Sequence, residues 1–175
     1  MQDFNSIGNE EILNLHKTAF LCSRKVPADI ILKSYDWTIE QRDKGICIIS
    51  CFHSKIEKDV FHYLIKGKQP VVIVLERYFK KRYTPFDREI KDALKANRLL
   101  IISQFSEKIK RASVKTAKKR NELMCNIADE IFIAHASEGG KIEALLKRPD
   151  IRNKKILSFD LQAAREHMCR VLNSE

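Results

Sequence analysis

The sequence has only five glycines and contains neither a Gly-x-Gly-x-x-Gly fingerprint nor a complete P-loop. Classical dinucleotide binding and nucleotide hydrolysis are therefore poorly supported. It also lacks any Cys-x-x-Cys pair or Cys/His cluster. Its five cysteines, Cys22, Cys47, Cys51, Cys125 and Cys169, are odd in number, scattered and mostly set in apolar runs. That pattern argues against a metal site and fits reduced, buried thiols. The longest apolar runs, such as Val71 to Leu75 and Leu99 to Ile102, are far too short to span a bilayer. Met1 to Glu11 is polar and acidic, unlike a secretory leader. A cytoplasmic protein with no membrane partner is expected. Repeats, low-complexity tracts and domain linkers are absent as well.

What is present is positive charge. Over 175 residues the formal net charge is +10, which favours anionic partners such as nucleic acid or phosphorylated ligands. Ser106 to Asn121 holds seven cations against one carboxylate. Such a density can track a phosphate backbone, or simply solvate a helix face. Arg77, Lys80, Lys81 and Arg82 form a second cluster interleaved with Tyr78, Phe79 and Tyr83. Aromatics among cations suit base stacking, and equally suit a loop folding back on the core.

Apolar strand-like and amphipathic helix-like stretches alternate along the chain. Strands are expected at Ala19–Cys22, Ile46–Ser50, Pro70–Leu75, Leu99–Ser103, Glu130–Ala134 and Ile156–Phe159. Helices are expected to start at Pro27, Ser54, Thr84-Pro85-Phe86-Asp87, Ser113 and Gly139-Gly140, with a terminal helix from Asp160. Ser54 and Glu57 form a Ser-x-x-Glu capping box directly after a strand. The alternation predicts an α/β fold: a Rossmann-like, doubly wound, mainly parallel sheet of five to six strands with helices on both faces. Residues 1–17 read as an N-terminal segment and 18–175 as one domain.

In such a sheet the loops after the strands gather at one edge. The loops concerned are Ser23-Arg24-Lys25, Ser50-Cys51-Phe52-His53-Ser54, Glu76-Arg77-Tyr78 and Ala136 to Lys141. They bring hydroxyls, cations and helix starts to one rim, which suits phosphate, although each alone reads as an ordinary capped turn. Gly139-Gly140-Lys141 is the most phosphate-like. No catalytic set is convincing. His53 and Glu57 could pair as base and orienter, but no nucleophile accompanies them. Cys51, beside a helix start, is either activated or buried and inert.

These pieces, in this order, resemble the Rossmann-like core of the DNA-processing protein A (DprA, or Smf) family, within the wider SMF/LOG superfamily. Ser23-Arg24 matches the family's Gly-Ser-Arg turn. Ile48-Ile49-Ser50 leads to its Ser-Gly turn. Pro70–Leu75 matches a core strand, Arg120-Asn121 its Arg-Asn pair, and Ser137 to Lys141 its Ser-Gly loop. The match covers about Thr18 to Leu146. It implies a domain that binds single-stranded DNA or a nucleotide in DNA processing or uptake, without a cofactor. Carried over, its DNA-contacting pocket includes Arg24, with Arg120 and Asn121 shaping it; together with the loops above, the candidate nucleic-acid- or phosphate-binding residues are Ser23, Arg24, Ser50, His53, Ser54, Arg77, Arg120, Asn121, Gly139, Gly140 and Lys141. Cys22, Cys51 and Tyr78 stand where the family has glycines. The alternatives are a nucleotide sensor or phosphoribohydrolase-like enzyme of the same superfamily, or a domain whose pocket is lost. Sheet edges of this kind also make a homodimer an expectation.

Overall fold

The computed structural model describes residues 4–79 and 87–159. The expected helix start at residues 84–86, the cations Lys80, Lys81 and Arg82, Tyr83, Cys169 and the terminal helix from Asp160 lie outside them.

Seven strands form one sheet in the order β1-β5-β4-β3-β2-β6-β7. They are β1 (Asn5–Gly8), β2 (Lys17–Cys22), β3 (Cys47–Ser50), β4 (Val71–Val74), β5 (Leu99–Ser103), β6 (Glu130–His135) and β7 (Lys155–Ser158). β2 to β7 pair in parallel, and β1 runs antiparallel to β5 at one edge. The expected count of five to six strands is corrected to seven by β1. That strand is short and mostly exposed, so no apolar alternation marks it. Backbone pairing holds it, with Asn5 Nδ2 donating to the carbonyls of Ser103 and Phe105.

Strands β2 to β6 are almost wholly buried, as continuous Val/Ile/Leu runs require when both faces are covered. The helices α1 (Ala28–Asp43), α2 (Lys55–Ile65) and α3 (Asp87–Lys95) link β2 to β5 in succession. The helices α4 (Val114–Ile127), α5 (Lys141–Leu146) and α6 (Pro149–Arg152) follow the later strands. Two separate apolar clusters result. Phe20, Ile48, Val60, Phe61, Leu64, Val71 and Ile101 lie in one, and Leu21, Ile49, Val72, Leu100, Met124 and Ile131 in the other. Alternate residues of each strand thus feed opposite faces, the period-two geometry of a β-strand. Trp37 of α1 stacks on Phe132 of β6 at 4.3 Å between ring centroids.

The capping boxes form. Ser54 Oγ accepts from the Glu57 amide and Ser113 Oγ from the Thr116 amide. Gly45, just past α1, takes φ +75°, a left-handed helix stop that suits glycine.

Strand order reverses beside β2, whose neighbours are β3 on one side and β6 on the other. In open α/β sheets the crevice beyond the strand carboxyl ends at such a point is where ligands bind.

Candidate functional site

A cleft of about 850 Å³ occupies that crevice. The loops after β2, β3, β4 and β6, together with the starts of α4 and α5, supply its walls. The first and last of these loops are stitched together. The Ser23 amide donates to the His135 carbonyl at 2.9 Å, and the Ser137 amide donates to Ser23 Oγ at 2.9 Å.

Of the expected site residues, Ser23, Arg24, His53, Ser54, Arg120, Asn121, Gly140 and Lys141 line this cleft. Ser50, Arg77 and Gly139 are not among its lining residues. Ser50 is fully buried, with Oγ donating to the Phe20 carbonyl at 2.9 Å, so it ties β3 to β2. The Arg77 carbonyl accepts from Ser103 Oγ at 2.8 Å, fixing the β4 loop to β5. Gly139 takes φ +64° and gives its amide to Glu143 Oε2 at 2.7 Å.

The floor is a chain of paired charges. Glu76 follows β4 and Arg120 lies on α4; their side chains are each 8% exposed and 2.8 Å apart, Arg120 Nη1 to Glu76 Oε2. Arg120 Nε and Nη2 donate to Asn121 Oδ1 at 3.1 and 2.8 Å. The other Glu76 oxygen, Oε1, faces His53 Nδ1 at 3.6 Å. Burial alone pushes the Glu76 carboxyl up, but the Arg120 charge, its hydrogen bond and His53 together hold it below its ordinary value. An ion pair removed from water needs such additional bonds to stand.

Two of the expected loops spend amides within the fold, although α5 itself opens at Gly140 without a side-chain cap. Glu57 Oε2 accepts from the amides of His53 at 2.9 Å and Ser54 at 2.8 Å, and from the Cys51 thiol at 3.4 Å. At the other loop, Glu143 takes the Gly139 amide, and the Gly140 amide donates to the Ser137 carbonyl at 3.0 Å. A Cβ on Gly140 would stand 2.7 Å from that carbonyl oxygen. Packing within the turn therefore accounts for this glycine.

The pairing of His53 with Glu57 as base and orienter, which the sequence allowed without a nucleophile, does not form. Glu57 holds the His53 backbone, and the ring faces Glu76. Cys51 resolves as the buried, inert thiol: burial, then the Glu57 charge, pushes its pKa up. The same burial pushes Cys22, Cys47 and Cys125 up to about 12. All four are free thiols. The left-handed position in the turn is Phe52, φ +48°, rather than Cys51. An aromatic side chain there costs about 1–2 kcal/mol. Packing of the buried Phe52 ring against Phe61, 4.9 Å between centroids, offsets it.

The rim differs from the floor. Arg24, Lys25, Lys118 and Lys141 are exposed, line the cleft and have no carboxylate within 4.0 Å among the described residues. Arg148 also lines the cleft but is spent on Glu122 at 2.7 Å and Asp150 at 2.8 Å. Between the cations the wall is apolar: Ala112, Val114, Ala117, Ile142, Ala144 and Leu145. Val114 is 72% exposed. The basic stretch after β5 is anchored nearby, the Tyr78 amide donating to the Ile109 carbonyl at 2.9 Å and Tyr78 Oη lying 3.3 Å from Glu107.

Sequence reasoning placed Glu76, Lys25 and Ser137 in the rim loops and Lys118 in the basic stretch, but not among the candidate binding residues. For three of them the signal was available: each sits in a loop that follows a strand at this edge. Lys118 was readable only as one of seven cations. Among the described residues, no three His, Cys, Asp or Glu side chains form a group able to hold a metal ion, and no helix is long and apolar enough to cross a membrane.

No curated protein sequence matches the chain. Its fold is shared with solved structures of DNA processing protein A. One is DNA processing protein A from Streptococcus pneumoniae, at 14% identity and a TM-score of 0.73. The match covers 97% of this chain and 60% of that one, so the present chain spans about three-fifths of that protein's length. Another is DNA processing protein A from Helicobacter pylori, described for a unique single-stranded DNA binding mode. It matches at 15% identity and a TM-score of 0.73, over 95% of this chain and 78% of that one. The family model for DNA recombination-mediator protein A matches residues 4–146, from the edge strand β1 to the end of α5, and the chain belongs to that family.

Proposed function

We propose that this domain binds single-stranded DNA across the mouth of the switch-point cleft, as part of DNA processing. The observation that carries the reading is the division of charge. On the floor Glu76 is paired with Arg120, and the His53, Ser54 and Gly139 amides are spent on Glu57 and Glu143, whereas Arg24, Lys25, Lys118 and Lys141 have no carboxylate partner among the described residues around the rim. A ligand that lays successive phosphates over the rim meets four cations. A single phosphate pushed to the floor would have to displace a carboxylate. The apolar wall between the cations offers surface to unstacked bases. The Helicobacter pylori relative's single-stranded DNA binding mode supports the same assignment.

Ser23 serves as the brace between the β2 and β6 loops, and Arg24 and Lys141 as phosphate contacts. Arg120 and Asn121 shape the floor. The domain acts as one unit in which β1 closes the sheet edge. A phosphoribohydrolase-like activity receives less support, because the Gly139 and Gly140 amides are already spent. A lost pocket calls for a filled cleft, and about 850 Å³ is open.

The test is fluorescence anisotropy with a labelled single-stranded oligonucleotide, competed by nucleoside monophosphates. Tight binding at low salt that weakens steeply with added salt and resists mononucleotide is the expected result. Absence of binding at low salt would refute the reading.

A further inference from the structure

Three features of the β3–α2 turn converge on one side chain. Among the described residues lining the cleft, His53 is the single histidine. Its ring is 51% exposed, so it meets both the cleft and solvent. Its backbone is fixed on either side: the amide by Glu57, the preceding residue by the left-handed, buried Phe52. An unfavourable backbone conformation held in place by packing is a feature that clusters at ligand sites.

The charges around the ring set what it can do. From the β4 loop, Glu76 Oε1 faces Nδ1 at 3.6 Å. From α4, Arg120 neutralises the other oxygen of the same carboxylate, and Lys118 stands on the rim. From its own turn and α2, Glu57 and the Cys51 thiol engage the backbone side. Arg24, Lys25 and Lys141 lie on the facing walls. With Nδ1 turned to Glu76, Nε2 is the ring nitrogen left for a ligand. A neutral ring carries one bare nitrogen, an acceptor that repels a phosphate oxygen. Taking a proton from solvent makes it a donor with a positive charge. The floor then changes from a neutral Glu76–Arg120 pair to a net cation beneath the rim.

We propose that His53 is a phosphate contact that becomes cationic as the anionic strand binds, so that binding takes up a proton. The proposal rests on the single-stranded DNA reading above. Linkage makes it reciprocal: lower pH tightens binding, and the bound strand favours the protonated ring.

The experiment is anisotropy titration of the intact chain with labelled oligothymidylate at pH 6 and pH 8, each over a range of salt. Wild type is compared with His53→Gln, His53→Lys and the control His62→Gln. Wild type is expected to bind about three- to tenfold tighter at pH 6, with a log–log salt slope steeper by about 0.7, the increment for one further phosphate neutralised on a single strand. His53→Gln should lose that difference and match wild type at pH 8. His53→Lys should lose it and match wild type at pH 6, while His62→Gln should keep it. A purely structural histidine would not give opposite, pH-independent levels in the two variants. A pH difference that survives in His53→Gln, or is absent from wild type, overturns the proposal and leaves the DNA-binding reading standing. No binding at either pH overturns both.

Discussion

Floor and rim of one cleft handle the same kind of charge in opposite ways. Arg120 on the floor is buried, 2.8 Å from Glu76 and doubly bonded to Asn121. Arg24 on the rim is exposed and has no carboxylate partner among the described residues. The difference follows from solvation. A buried guanidinium without a partner costs several kcal/mol, so the fold supplies one. An exposed guanidinium is solvated and needs none, and remains available to a ligand. Motif matching cannot separate the two roles, because both arginines line the same cleft, Arg24 from the loop after β2 and Arg120 from the middle of α4. Burial separates them.

The comparison can be broken most severely from the floor. Glu76→Ala leaves Arg120 buried and unpaired, and a loss of about 3–5 kcal/mol is expected in urea unfolding. Replacing both residues together by Met and Leu should cost less than either single change. Equal loss in the single and double variants would show that the pair is not the reason these charges are buried. Acid should act on the same pair. Glu76 in the unfolded chain titrates near 4.5 and in the folded protein lower. Its contribution is therefore complete above about pH 4.5 and is lost as pH falls through the folded value. Wild-type stability should drop in that acid window, and the drop should shrink in the double variant.

Rim changes should be nearly silent in stability and loud in binding. Arg24→Glu combined with Lys141→Glu is expected to shift unfolding by no more than about 0.5 kcal/mol, while weakening single-stranded DNA binding by more than about tenfold at low salt. Equal losses in both measurements would place these residues in the fold rather than the interface. Smallest is the brace: Ser23→Ala strands the Ser137 amide and should cost about 1 kcal/mol, read by urea unfolding.

The sheet was legible from the sequence wherever burial wrote a continuous Val/Ile/Leu run, as at Val71–Val74 and Leu99–Ser103. It was illegible at Asn5–Gly8, whose place depends on backbone pairing with β5. The site was legible to the level of the loop. Topology alone brings Ser23, His53, Arg120 and Lys141 to one cleft. Glu57's reach back to the helix start was legible as the Ser-x-x-Glu capping box, whereas the bond from the Gly139 amide to Glu143 was not, because it depends on the Glu143 side-chain conformation. The left-handed turn at Phe52 was also not legible, because nothing in the residue type marks an aromatic for that conformation.

The most direct test of the division between floor and rim is the salt dependence of oligonucleotide binding at pH 8. Arg24→Gln with Lys141→Gln is compared with Lys44→Gln plus Lys95→Gln, which removes the same charge near the ends of α1 and α3. The rim pair should flatten the log–log slope by about 1.4, roughly 0.7 for each phosphate no longer neutralised, and the distal pair should leave it unchanged. An equal slope change in both, or none in the rim pair, would contradict the account.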